Sequence, residues 1–568
     1  MVNALNKSSK KRIQEPTYKE LCRHLPVFRW LAQKSKLSDH QMLALFTNLA
    51  QLGEEGKEIA QFFLDKHGHK VDVDELYEKC QGKPIATYES FALLGYDGYI
   101  PEEYDSPIEE LLDLKKSKDM ANRGLYYSER GQLRINANTF AAYVLHRLEL
   151  VFVLGQGFFL YEASGKWRPI DDVELGKRCR DILHEVEDGI WIQSWHGEYM
   201  AALRLEVPQL NSLDRGDEFI NVQNGMLDLR TMNLRPHAPE YYSTIQTPIR
   251  YNSNATCPKF EAFLHSIFEG DRERIDLMQE IMGYVLTKDM RLQKAFIFHG
   301  IGSNGKSVLA DIIRHIAGGD NVSHAPLNKL GERFGLDNLP GKTVNISTEN
   351  ELGEKHLNTQ NFKAITGADT INVERKYQDS FSCELFCKLV VLVNRLPTTK
   401  DHSHGFYRRL VIVPFNRVFT EAEQDRDLLS KLLGELEGIL AFALRGYKRL
   451  IENNHRLTIC SAAERALNEY KEEQNPVLVF MRKELTFADN ASVKRKEVYS
   501  AFQVWARQNE FNEFSSMGRQ RFWDLFRAGA SEVGYDFLTK KIKGEVFLDK
   551  VALNGTGRPP RNSMSVLD

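Results

Sequence analysis

Cysteine is scarce in this chain: seven occur in 568 residues, at positions 22, 80, 179, 257, 383, 387 and 460, and no two have C-x-x-C spacing. That excludes a disulfide framework and reads as reduced thiols, with a cytoplasmic location as the expectation. Cys383 and Cys387 are the one close pair, but they sit in the alternating apolar stretch SFSCELFCKLVVLV with no His nearby. Buried small side chains suit that context better than a zinc site. Long apolar runs are also missing; none approaches the roughly 18 residues that span a bilayer, so no membrane segment is expected. The start, MVNALNKSSKKRIQE, has a basic cluster with no apolar core behind it, which reads as a solvated tail and not a secretory signal. Neither sign of charge is in excess. Lys and Arg number 75 against 78 Asp and Glu, a net −3, so local charge must decide whether nucleic acid is a partner. No internal repeat is visible.

The length implies several cores, and the expectation is a multidomain α/β chain. Residues 1–115 read as a helical domain, a collar or partner-docking unit. In it Ser38 and Gln41 form a capping box, and Met42, Leu45, Phe46, Leu49 and Leu52 recur at helical spacing before Gly53 ends the run. The stretch YDGYIPEEYDSPIEE suits a linker. HKVDVDEL sets Asp72 and Asp74 at strand-like spacing, as a primase metal pair would need, but together with Glu75 they read as a helix start. Residues 120–288 read as an α+β and helical domain. GQGFFLYEASGKWRPID is a hairpin turning at residues 163–165, and EFINVQNGMLDLRTMNLRPH holds two strands around a turn at Asn224 and Gly225. Two amphipathic helices follow, KFEAFLHSIFEG and DRERIDLMQEIMGYVL. Residues 289–460 alternate apolar strands with helices, as an α/β nucleotide-binding motor with a helical lid would. Residues 475–555 read as a winged helix domain: after QNPVLVF the tail from Val493 to Leu553 runs helix, helix, helix and then two short strands, FLTKKIK and EVFLDKVAL. Residues 556–568 read as a disordered tail.

The stretch FIFHGIGSNGKSVLADII, residues 296–313, is a buried strand, a glycine turn and an amphipathic helix, with G-x-x-x-x-G-K-S from Gly300 to Ser307. Gly300, Gly302, Ser303, Asn304, Gly305, Lys306, Ser307 and Val308 are the candidate residues for the phosphates of ATP. Glycines let backbone amides turn inward, Lys306 supplies the cation, and Ser307 is a ligand for Mg²⁺. A hydrolase also needs a carboxylate that orients water. KTVNISTENEL offers Glu349 at a strand end, with Glu351 as the fallback. KLVVLVN ends on Asn394, whose amide could bond water and phosphate. GFYRRLVIVPF places Arg408 and Arg409 before another strand, where a guanidinium could reach the phosphates held by a neighbouring subunit.

The order GIGSNGKS, NISTEN, LVVLVNRLP, GFYRRLVIVPF resembles the superfamily 3 helicases of the AAA+ class, in particular the poxvirus-type primase-helicases of phages and plasmids. Upstream, FINVQNGMLDLRTMNLRPHAPEYYSTIQTPIRYN resembles the domain preceding the motor in that family. The resemblance extends over about residues 125–451. It implies that Lys306 and Ser307 bind phosphate and Mg²⁺, that Glu349 matches the second acidic position of the metal strand, that Asn394 is the polar sensor, and that Arg408 or Arg409 is an arginine finger. Thr348 stands where many relatives have an acid. A ring of six subunits and 3′–5′ DNA unwinding are further implications.

GADTINVERKYQDSFSCEL reads as a hairpin with Arg375, Lys376 and Tyr377 at its tip, and the resemblance implies that this tip holds one DNA strand in the ring channel. In SSMGRQRFWDLFRAG a recognition helix would expose Arg519, Gln520 and Arg521, and in TKKIKGEVF a wing would set Lys540, Lys541 and Lys543 on phosphates. The expected function is an ATP-dependent ring DNA helicase and replication initiator of a phage, plasmid or mobile island, similar to the stand-alone initiators of staphylococcal pathogenicity islands. Its expected partners are single- and double-stranded DNA, a replication origin, copies of itself and host replication proteins. Two rival expectations are a helicase-primase and an ATP-switched origin-binding loader that does not unwind.

Overall fold

A computed structural model describes residues 18–80, 82–348, 358–374, 380–509 and 511–554. The chain divides into two compact units. One joins the residues up to Leu148 with Asp171–Val207; the other joins Glu149–Ile170 with the chain from Pro208 onward. The stretch expected as one α+β and helical domain thus contributes to both.

In the first unit, helices Tyr18–His24, Pro26–Gln33, Asp39–Leu49, Glu54–Lys66, Val73–Cys80 and Tyr88–Leu93 surround a core that includes Phe28, Leu45, Phe46, Phe63 and Phe91. The Ser38–Gln41 capping box is formed in both directions, at 3.1 and 3.2 Å. Asp72 accepts from the amides of Asp74 and Glu75 at 2.8 and 3.3 Å, so it caps a helix, as its sequence context suggests. The acidic linker ends earlier than its composition indicates. Ser106 caps helix Pro107–Asn122 with Pro107 in its first turn, an arrangement that uses proline's missing N–H where no bond is needed.

The second unit contains a five-stranded parallel sheet. Numbered in chain order, its strands are Ala295–His299, Val322–Ser323, Val344–Thr348, Lys388–Val393 and Leu410–Pro414. Across the sheet they lie second, third, fourth, first, fifth. Parallel strands covered on both faces need apolar residues at every position, which explains the runs AFIF, LVVLV and LVIV. Phe296 and Phe298 face a core shared with helices Arg272–Tyr284, Lys306–Ala317 and Leu436–Glu452. Ala295 and Ile297 face the opposite core, with Phe362, Phe406 and Tyr470.

Both hairpins expected upstream of the five-stranded sheet are present. Gly157–Tyr161 pairs antiparallel with Trp167–Ile170. Phe219–Val222 pairs with Gly225–Asp228 so that Val222 lies opposite Gly225. The two-residue loop is therefore Gln223 and Asn224, one residue earlier than Asn-Gly spacing suggests. The Asn224 side chain closes the loop by bonding Tyr251 in both directions, and Gly225 enters the strand because an added Cβ would lie 2.3 Å from the Arg235 carbonyl oxygen.

The C-terminal body departs from its expected order. Helix Pro476–Glu484 is followed by strand Leu485–Lys494, then helices Arg495–Gln508 and Arg519–Ala530, then strands Thr539–Ile542 and Glu545–Leu553. Glu545–Leu553 is the central strand of this antiparallel sheet. After Val493 there are thus two helices, not three, and an extra strand precedes them. LTFADNASVK hides that strand because only Leu485 and Val493 in it are buried and its register shifts between Phe487 and Ser492.

Candidate nucleotide-binding site

Parallel pairing brings the carboxyl ends of the strands to one edge. His299 lies opposite both Val393 and Pro414, and Thr348 lies opposite Leu392. The residues that follow these ends, Gly300 and Asn394 among them, therefore share the edge where open α/β sheets place their ligands.

The glycine-rich loop leaves the first strand at Gly300 and enters helix Lys306–Ala317 through Gly305. Two glycines are required by geometry. A Cβ on Gly300 would sit 2.3 Å from the Phe415 carbonyl oxygen; one on Gly305, at φ +84°, would sit 2.7 Å from Ile267 Cγ2. Gly302 and Ser303 also take positive φ, +95° and +45°. The chain beyond the fifth strand clamps this shape from outside. Buried Asn304 donates its amide to the Phe415 oxygen at 3.3 Å, and the Phe419 amide donates to the Ser303 oxygen at 2.8 Å. Asn304 thus holds the loop closed, and nothing in the repeated glycine pattern points to the Phe415 and Phe419 half of that clamp.

Lys306 is 6% exposed. Its ammonium donates to the Gly300 carbonyl oxygen and, at 3.3 Å, to the side-chain oxygen of Asn394. Ser307 is exposed beside it, and Val308 packs against the first core. A glycine cradle, a helix N-terminus, an ammonium and an exposed hydroxyl form a donor set that fits a phosphate anion with a hard divalent cation.

Arg408 and Arg409 lie at the other edge of the sheet. Leu410 pairs with Ala295, the first residue of the strand whose far end carries the loop. Five residue steps at about 3.3 Å each set the level of Leu410 roughly 17 Å from Gly300 along the sheet, and the arginines lie just before Leu410. The two arginines differ. Arg408 is exposed and donates to Gln293 Oε1 at 2.8 Å. Arg409 donates to the Gly405 oxygen at 2.5 Å, and its Nε is buried without a partner. Burial, with Arg408 beside it, pulls the Arg409 pKa below the usual arginine range, against the pull of Asp369.

Glu349, Glu351, Arg375, Lys376 and Tyr377 lie outside the described residues. Among the residues on either side, Thr348 is exposed at its strand end, and Thr370–Val373 pairs antiparallel with Phe381–Glu384. Cys387 is buried, and among the described residues no group of three His, Cys, Asp or Glu is placed to hold a metal ion.

The basic residues of the C-terminal body do not form one face. Arg519 is exposed over the Tyr499 ring at 5.6 Å. Arg521 lies on another side of the same helix, close enough to His402 to help push that imidazole's pKa down, after burial and against Asp401. Lys540 and Lys541 are both exposed in one strand, and Lys540 is paired with Asp549 at 2.6 Å. No described helix is long and apolar enough to cross a membrane.

Two family descriptions match parts of the chain: "D5 N terminal like" at residues 197–269 and "Family of unknown function (DUF5906)" at residues 298–409, the latter spanning the loop, Asn394 and both arginines. "Putative helicase 184R" of Invertebrate iridescent virus 6 is 24% identical over 433 residues, which is 67% of this chain and 43% of that protein. "Putative helicase L207/L206" of Acanthamoeba polyphaga mimivirus is 21% identical over 336 residues, 53% of this chain and 34% of that protein. The chain thus spans less than half the length of either viral protein. Among solved structures, the apo A form of the NrS-1 C-terminal region aligns with 72% of this chain and 98% of its own, at 13% identity and a TM-score of 0.43. The chain is similar in part to viral proteins that carry the name helicase.

Proposed function

We propose that the chain is an ATP-driven motor that separates DNA strands during replication of a viral, phage or mobile-element genome, and that it works as a ring. The observation that carries this reading is the placement of Lys306 and Asn394 together at one sheet edge with Arg408 and Arg409 at the other. Lys306 and the loop amides would hold the triphosphate of ATP. Mg²⁺, bound through Ser307 and Glu349, would neutralise charge on the phosphate oxygens. Glu349 would orient the attacking water, and the Asn394 amide would report whether the last phosphate is present.

An arginine roughly 17 Å from its own loop serves a neighbour's loop more readily than its own, which is the physical case for a ring. Arg408 is the better finger, because its guanidinium is exposed while Arg409 is tied to Gly405. The strand order of the sheet and the similarity to named viral helicases support the AAA+ superfamily 3 reading. The helix, strand, helix, helix, strand, strand order of residues 476–553 supports a winged helix. Copies arranged head to tail would place the 370–384 hairpin where it can follow one DNA strand.

The test is ATP turnover with and without single-stranded DNA. Native protein is expected to turn over ATP faster with DNA, and Lys376→Ala to keep its basal rate but lose the stimulation. Turnover indifferent to DNA in the native protein would contradict the reading.

A further inference from the structure

The C-terminal body carries a groove of about 600 Å³. One wall is the junction between strand Leu485–Lys494 and helix Arg495–Gln508; the other is a face of helix Arg519–Ala530. Five cations and two carboxylates line it. The carboxylates are already used: Glu545 pairs with Lys494 at 2.6 Å and Asp524 with Arg527 at 3.1 Å. Arg495, Lys496 and Arg519 have no ion-pair partner among the described residues.

Arg495 is held in place by aromatic rings. Its guanidinium lies 4.2 Å from the Trp523 ring centroid and 5.9 Å from that of Phe537, and its Nε is buried with no acceptor among the described residues. A buried donor left without an acceptor costs about 1–3 kcal/mol, so the guanidinium is kept at this position at a cost to the fold. Stacking fixes the plane of the guanidinium, so its fork is preorganised for an oxyanion. Arg519 is likewise set over an aromatic ring.

The groove has no free aromatic face on which a base could stack. Trp523 is 7% exposed and lies under Arg495. A single small phosphate would match only part of the charge, whereas a polyanion meets all three cations at once. We propose that this groove holds the phosphodiester backbone of nucleic acid through Arg495, Lys496 and Arg519, without regard to base sequence or to the nucleotide on the motor. The choice of nucleic acid over another polyanion rests on the strand-separating function proposed above. The groove shares only Arg519 with the cations singled out from the sequence: Arg521 is near His402 and Lys540 pairs with Asp549, while Arg495 and Lys496 stand at the helix start after the unexpected strand.

The experiment is fluorescence anisotropy of a mixed-sequence oligonucleotide, single-stranded and as duplex, with the full chain, no nucleotide, and a series of salt concentrations. R495Q/K496Q/R519Q is expected to weaken binding at least about tenfold at low salt and to reduce the slope of log K against log salt by roughly 2 on the single strand and nearly 3 on the duplex, at about 0.7 and about 0.9 for each phosphate no longer neutralised. K496Q, an exposed substitution that leaves packing alone, should reduce the slope by about one. A weaker hold on the single strand, on the duplex or on both identifies the form of nucleic acid and supports the site. Unchanged slopes in both variants, an equal weakening in R521Q, or polyglutamate competing as well as oligonucleotide at equal charge would overturn it. Because ATP is absent, the result stands apart from strand separation: a chain that never unwinds DNA can still show the slope change, and a chain lacking it can still unwind.

Discussion

The Lys306 ammonium lies 3.3 Å from the Asn394 side-chain oxygen, across two parallel strands that end in register. The charge that would grip a phosphate is thereby wired to the strand beside it, so loss of one partner is not equivalent to loss of the other. Lys306→Ala is expected to lose nucleotide binding and turnover together. Asn394→Ala should bind nucleotide within about threefold of native and lose about a hundredfold in turnover, since an interaction made mainly in the transition state lowers kcat more than affinity. Equilibrium binding of a fluorescent nucleotide alongside steady-state turnover separates the two; normal turnover in Asn394→Ala would remove that residue from the site.

Gly305→Ala tests the cradle. The methyl would meet Ile267 while the backbone stays at φ +84°, so the helix entry must shift. A cost of about 1–3 kcal/mol in stability is expected, together with loss of the thermal shift that Mg²⁺ and ATP give the native chain. A full nucleotide-induced shift in this variant would show that the loop needs no such turn.

The two arginines should fail differently. Arg408→Ala is expected to lower turnover by about a thousandfold with Tm unchanged. Arg409→Ala should lower Tm, because it removes the bond that closes the turn onto Gly405. Mixing Lys306→Ala with Arg408→Ala, each inactive alone, should restore measurable hydrolysis, because some interfaces then pair an intact loop with an intact arginine. No recovery would argue that the finger acts within its own subunit.

Lys388 gives the second unit a pH dependence. It is 1% exposed, donates to the Thr287 carbonyl oxygen, and has its pKa pulled down to about 7 by burial, with a small push from the Lys288 charge, against the attraction of Asp289 and the smaller pulls of Cys387 and Asp217. Below about pH 7 the folded state carries a buried charge. Between there and the ordinary lysine value near 10.4 the unfolded chain binds the extra proton, so stability rises with pH through that window. Tm measured from pH 7 to 9 should climb less in Lys388→Met than in the native chain; equal slopes would mean that Lys388 is not the group responsible.

The five-stranded body was largely legible in the sequence because a parallel sheet buried on both faces writes its strands as continuous apolar runs, and because the loop demands glycine at fixed positions. Asn394 and the arginine pair could be placed from their positions just beyond or just before such runs. Other features left little trace. Strand Leu485–Lys494 buries only its two end regions, so its alternation is mostly polar. The direction of Arg521, away from Arg519, follows from a two-residue offset on a helix already crowded with cations. The grouping of Asp171–Val207 with the N-terminal unit depends on packing between distant segments, which local periodicity does not encode.

Strand displacement tests the central claim most directly. A duplex with a 3′ single-stranded tail is incubated with ATP and Mg²⁺ and either native protein or Lys306→Ala. The account predicts that native protein separates the strands and Lys306→Ala does not. ATP hydrolysis by the native chain with no separation on either a 3′- or a 5′-tailed duplex would contradict it.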